Sequence, residues 1–117
     1  MSVTLYGIKN CDTVKKARKW LEKNHISYHF HDFRTDGLDK KLMESWLRKI
    51  DWEMLLNTRG MTWRKLDESE RQNMTKNKAI SLMLMQPTLI KRPVLTTGGD
   101  CYVGFDEKNY TALFKNN

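Results

Sequence analysis

Apolar positions along this chain change their period several times, and each change marks an element. "SVTLYG" at 2–7 is rich in β-branched and aromatic residues and closes at Gly7, which predicts a short strand. After a loop at 8–11, Val14, Ala17 and Leu21 recur at helical spacing. Asp12 or Thr13 is placed to cap that helix and Asn24 to end it. "ISYHFHDF" at 26–33 predicts a second strand, with Ile26, Tyr28, Phe30 and Asp32 on one face and Ser27, His29, His31 and Phe33 on the other. Strand, helix and strand within about thirty residues make a βαβ unit, whose two strands run parallel.

"TDGL" at 35–38 is a turn, and Asp39 then caps a helix carrying Leu42, Met43, Trp46, Leu47 and Ile50 on one face. "DWEMLLN" predicts a short helical turn. The polar stretch from 58 to 73 holds Met61, Trp63 and Leu66, which marks it as packed chain rather than free linker. "TKNKAISLMLMQ" at 75–86 is a further helix, apolar at Ala79, Leu82, Met83 and Leu84, and Pro87 stops it. A strand at 94–97, a hairpin signal in "GGD" at 98–100 and a returning strand at 101–105 follow. Asp106 caps a last helix with Tyr110, Leu113 and Phe114. The order β-α-β, helical stretch, β-β-α predicts an α/β fold with a mixed four-stranded sheet and helices packed on it.

The chain has 117 residues, enough for one domain with its own core. It contains no apolar run long enough to span a membrane, and "MSVTLYG" lacks the basic and apolar regions of a signal peptide. The expectation is a cytoplasmic protein that does not act at a membrane. Two distant cysteines, Cys11 and Cys101, do not make a disulfide scaffold and suit a reducing compartment. The formal charge of +7 is spread along the chain with mild clustering at 9–23, and no aromatic-interleaved basic stripe or DNA-reading motif accompanies it. Nucleic acid is therefore not the expected partner.

The candidate chemistry sits at Cys11, where a strand gives way to a helix. Free N–H groups and the positive end of the helix dipole stabilise a thiolate there, and Lys9, Lys15 and Lys16 add positive potential while Asp12 opposes it. The thiolate is the nucleophile, so a modest fall in pKa makes the residue reactive near neutral pH. Position 14 is valine, so no C-x-x-C pair exists and a thiol from outside would have to resolve any mixed disulfide. Asn10 and Thr13 are candidate hydrogen-bond donors to the sulfur. Cys101 reads as a packing residue of its strand. His25, His29 and His31 form H-x3-H-x-H, which no cysteine or carboxylate completes into a zinc site, and no metal is expected.

"LYGIKNCDTVKKARKWL", "HDFRTDGL" at 31–38, "LLNTRG" at 55–60, "LIKRPVL" at 89–95 and "YVGFDEKNY" at 102–110 together resemble the thioredoxin-like arsenate reductase (ArsC) superfamily, and within it the Spx/YffB-like branch, over essentially the whole chain. The resemblance implies a single thioredoxin-like domain over 1–117, with βαβ at 1–37, a helical insertion at 38–90 and ββα at 91–117. It implies that Cys11 is the catalytic cysteine, that Arg92 precedes a cis-proline at Pro93, and that Arg59 helps hold an oxyanion or carboxylate beside the thiol. Arginine suits that task because its fork of donors binds such groups bidentately and its charge lowers a thiol pKa. No bound cofactor is implied. Glutathione is the implied co-substrate, with glutaredoxin downstream and a small oxidised molecule or protein disulfide as substrate. "YVGFDEK" lacks the further arginine of true arsenate reductases, "GIKNC" lacks their H-N-P-x-C form, and Val14 breaks the C-x-x-C switch of Spx regulators. The expected activity is therefore glutathione-dependent monothiol reduction. The alternatives are arsenate reduction with glutathione and glutaredoxin, and a non-catalytic Spx-like regulator that binds RNA polymerase.

Overall fold

Alternation of buried and half-buried residues over Val3–Gly7 makes this segment a strand, β1, that hydrogen-bonds on both sides. The computed structural model, which describes residues 2–115, places β1 beside β2 (His29–Asp32) in parallel and beside β3 (Val94–Thr97) in antiparallel. β4 (Asp100–Val103) pairs antiparallel with β3, so the sheet order is β2-β1-β3-β4. This is the expected α/β, thioredoxin-like architecture with its mixed four-stranded sheet. The β3–β4 connection is the expected tight hairpin: Gly98 and Gly99 take φ of 60° and 83°, a region that costs glycine nothing.

The chain divides into two units, one made of the segments up to Asp36 and from Arg92 onward, the other of Gly37–Lys91. In the first, helices α1 (Asp12–Lys23) and α7 (Glu107–Phe114) build a core with the sheet from Val3, Leu5, Ala17, Leu21, Leu95, Tyr110 and Phe114. Trp20 meets Tyr110 edge-on at 5.6 Å between centroids, and Phe105 meets it in the same way at 4.8 Å. Such edge contacts add to plain area burial because the ring quadrupoles are complementary. Asp106 caps α7 as the sequence implies, accepting from the N–H groups of Lys108 and Asn109 at 2.8 and 3.2 Å.

The second unit holds α2 (Lys40–Leu47), α3 (Trp52–Leu55), α4 (Met61–Lys65), α5 (Glu68–Arg71), α6 (Lys76–Met85) and a 3-10 turn at Pro87–Leu89. Asp39 and Thr75 cap α2 and α6 with their side-chain oxygens, the first as expected. Burial on α6 falls on Ala79, Ile80, Leu82 and Met83, so Ile80 takes the buried place expected of Leu84. The segment at 58–73 is two short helices and their turns, not one element. α2 stops at Leu47, short of Ile50, which closes a turn on Trp46.

Three expectations about where elements begin and end change. The first helix is capped by neither Asp12 nor Thr13; Cys11 is the N-cap and Asp12 is the first helical residue. Hydrophobic spacing locates a helix to within a turn, and only backbone dihedrals identify its cap. β2 is four residues rather than eight, because β1 offers partners only for the ladder from Thr4↔His29 to Gly7↔Asp32. The predicted return strand at 101–105 likewise shortens to Asp100–Val103, since its register with β3 ends at Val94↔Val103.

The junction between β1 and α1 is packed without slack. A Cβ on Gly7 would lie 2.7 Å from Cγ2 of Val14, whose side chain is fully buried. Gly7→Ala is therefore expected to cost about 1–3 kcal/mol, as overpacking does, read as a lowered denaturation midpoint. In a Val14→Ala background the same change should cost less, because the clashing methyl is gone; an equal cost in both backgrounds would refute this contact.

Candidate active site

Cys11 reaches its position through two tight hydrogen bonds. Its N–H donates to the Ile8 carbonyl at 3.1 Å, which turns the loop at 8–11 back on itself, and its carbonyl accepts from Lys15 N–H at 2.9 Å, which starts α1. The residue is extended (φ −89°, ψ 127°), as an N-cap must be. No ordinary capping hydrogen bond forms there, because sulfur stands where Ser, Thr, Asp or Asn would offer oxygen. The sulfur instead faces the helix N-terminus, whose first N–H groups have no partner inside the helix.

Arg92 is brought to the same place by the sheet. Tyr6 pairs with Val94 across the antiparallel β1–β3 ladder. Following β1 forward to Ile8 therefore matches following β3 back to Arg92. The Arg92–Pro93 bond is cis, Pro93 is buried, and its carbonyl accepts from Gly104 N–H at 2.8 Å. The guanidinium both hydrogen-bonds the Cys11 sulfur and acts on it through its charge.

These groups decide the state of the thiol. Burial raises the Cys11 pKa, but the Val14 N–H, the Arg92 hydrogen bond and charge, and the Thr13 N–H lower it, and the lowering wins. Val14 and Thr13 occupy the third and second helical positions, where N–H groups are free to serve the cap. Thr13 thus contributes through its backbone N–H. Val14 was legible in the sequence only as a core residue, although its offset of three from Cys11 is the signal that marks it. Asn10 is exposed in the turn before Cys11 and is not among the groups acting on the sulfur.

Cys101 is a different kind of thiol. It is buried in β4, and burial pushes it up to about 11. It pairs with Thr96, which pairs with Thr4 on β1. It therefore lies roughly 10 Å along the strands and two strands across from the end of β1. A disulfide needs Cα atoms within about 7 Å, so Cys101 does not resolve Cys11 in this fold. Arg59 belongs to the second unit, exposed in the loop between α3 and α4, where its N–H donates to Asn57 Oδ1 at 3.1 Å. Among the described residues, no group of three or more His, Cys, Asp or Glu is arranged to hold a metal, and no helix is long and apolar enough to cross a membrane.

Comparison with known proteins shows the family of the chain. The ArsC family model matches residues 6–113. An uncharacterised protein of Haemophilus influenzae is 46% identical over 112 residues, covering 96% of this chain and 98% of its own length. The global transcriptional regulator Spx 1 of Lactococcus lactis is 27% identical over 95% of this chain and 88% of its own. Among solved structures, a YFFB protein superposes with a TM-score of 0.90 at 47% identity, covering 95% of this chain and 97% of the other. An arsenate reductase (ArsC) related protein from Brucella melitensis gives 0.81 at 52% identity, covering 98% and 96%.

The balance at Cys11 has a direct readout in its alkylation rate as a function of pH. The Cys11 midpoint should lie below that of an ordinary thiol and well below that of Cys101. In Arg92→Ala it should move upward, because the largest side-chain contribution to thiolate stability is gone while burial still opposes the charge. An unchanged midpoint would remove Arg92 from the site.

Proposed function

The chain belongs to the ArsC family, and we propose that it is a monothiol reductase in which glutathione completes the cycle. The observation that carries this reading is the Cys11 sulfur at the start of α1, held below its ordinary pKa by backbone N–H groups and Arg92. Such a thiolate attacks the glutathione sulfur of a mixed disulfide R–S–S–G. The Cys11–S–S–G bond forms, the old S–S bond breaks, and R–S⁻ leaves to take up a proton. A second glutathione thiolate then attacks the same sulfur, releasing oxidised glutathione and the Cys11 thiolate. The sum reduces R–S–S–G to R–SH and oxidises one further glutathione, with no second protein cysteine needed. That fits Val14 at the position of a resolving cysteine and the burial of Cys101.

Arg92 has two tasks in this scheme. Before attack it favours the thiolate; afterwards, with the negative charge gone from sulfur, its guanidinium can turn to a carboxylate. The family resemblance assigns Arg59 a similar oxyanion or carboxylate. Pro93 stands immediately before β3, where its missing N–H leaves no ladder bond unmade. Arsenate reduction uses the same nucleophile, but "YVGFDEK" supplies no arginine for the anion. The likeness to Spx supports a second reading, a non-catalytic regulator binding RNA polymerase. That reading requires Cys11→Ser to retain full function in the cell.

Incubation with oxidised glutathione followed by intact-mass spectrometry separates these readings. The enzyme reading expects one glutathione adduct per chain, mapped to Cys11, absent in Cys11→Ser and removed by reduced glutathione. Absence of any adduct at neutral pH would overturn it.

A further inference from the structure

The segment "HDFRTDGL" contributes to the family likeness, yet the scheme above gives it no task. Its residues 31–36 are the end of β2 and the turn after it, paired with the end of β1 from which the Cys11 loop departs. The β1–β2 ladder ends at Gly7↔Asp32 and is extended by Phe33 N–H donating to the Gly7 carbonyl at 2.9 Å. Ile8 and Phe33 are both buried, 6% and 4% exposed, so the two chains leave the sheet side by side. The residues that emerge next are Lys9 and Arg34, both exposed. This is the carboxyl end of two parallel strands, where open α/β sheets place their ligands. Cys11 stands one turn beyond, and Arg92 enters from β3.

The turn carrying Arg34 is held from inside. Asp32, only 7% exposed, accepts from the Arg34 N–H through Oδ1 at 2.8 Å. Its own N–H donates to Asp36 Oδ2 at 2.9 Å, and Asp36 N–H donates to the Asp32 carbonyl at 2.8 Å. These reciprocal bonds form an Asx-type turn that fixes where Arg34 leaves the fold. Among the described residues, the side chains of Lys9 and Arg34 engage in no hydrogen bond or ion pair. Two uncommitted cations, one of them on a turn organised by a buried carboxylate, emerge at the same end of β1 and β2 as the loop that carries the nucleophile.

We infer that Lys9 and Arg34 are specificity residues that select thiols and disulfides carrying carboxylates close to sulfur, and that Asp32 is the positioning residue for Arg34. The inference rests on the reductase reading and refines it, since it states which co-substrates the site prefers. Glutathione has a carboxylate on each side of its cysteine and satisfies the requirement; an uncharged or cationic thiol does not. Exposed cations at a rim act chiefly by raising the encounter rate of an anion, an effect that salt screens.

The test uses the full chain and two reagents that report attack by Cys11: dithiobis(nitrobenzoate), which carries two carboxylates, and uncharged dithiodipyridine. The readout is the ratio of their second-order rates at neutral pH. Lys9→Glu with Arg34→Glu should lower the ratio about tenfold at low salt, and less at high salt. Lys19→Glu with Lys23→Glu makes the same charge change toward the far end of α1, whose Lys23 lies roughly 18 Å along the helix from Cys11, and should leave the ratio as it is. Asp32→Ala should lower the ratio through Arg34, while Asp32→Asn, which keeps the acceptor for the Arg34 N–H, should retain it. If Cys11 reacts with both reagents and the double variant keeps the ratio, the inference fails and the reductase reading stands. An equal effect from the Lys19→Glu, Lys23→Glu variant also overturns it, because general charge is then enough. If Cys11 reacts with neither reagent, the reductase reading falls and the inference with it.

Discussion

The double pairing of β1 is the constraint on which the site depends. Its parallel partner brings the turn at 32–36 alongside Ile8 and Lys9, and its antiparallel partner brings Arg92 back from some eighty residues along the chain. A one-residue slip of β3 would turn Leu95 out of the core and carry Arg92 away from the sulfur, since side chains alternate faces with period two. Register is protected here because the alternate residues Val3, Leu5 and Leu95 lie in one core with Ala17, Leu21, Tyr110 and Phe114. The position of Arg92 at the Cys11 sulfur is thus secured by the packing of residues elsewhere in the sheet core.

Burial and activation pull against each other at this thiol. A sulfur held partly out of water gains proton affinity, as Cys101 shows without opposition. Cys11 escapes because it occupies the one place in a helix where N–H groups have no internal partners, with a guanidinium supplied from another strand. The same first turn in which a serine or aspartate would stabilise the helix is used here to stabilise a thiolate. Stability comes from elsewhere, notably from the close fit of Gly7 against Val14 and the aromatic contacts around Tyr110.

Much of the fold was legible in the sequence for reasons that can be named. Asp39 and Asp106 stand immediately before apolar helical runs, and both cap as expected. "GGD" sits between two β-rich runs, and its glycines adopt the positive φ that a two-residue hairpin turn needs. Apart from the cap of α1, the misreadings share one cause. The lengths of β2 and β4, the exchange of Ile80 for Leu84, and the end of α2 all depend on which neighbour each segment meets, and local patterning carries no information about that.

By itself the sequence determined the order of elements, the absence of a second cysteine three residues after Cys11 and the presence of a cysteine where a helix begins. Those follow from residue types and spacings within a few turns of chain. Only the tertiary structure decided that Cys11 is the cap itself, that Val14 contributes an N–H to the sulfur as well as a side chain to the core, that Cys101 is out of reach, and that Lys9 and Arg34 emerge at the same end of the sheet. Each of these is a relation between backbone groups or strands set by register and dihedral angle, and one-dimensional spacing does not specify either.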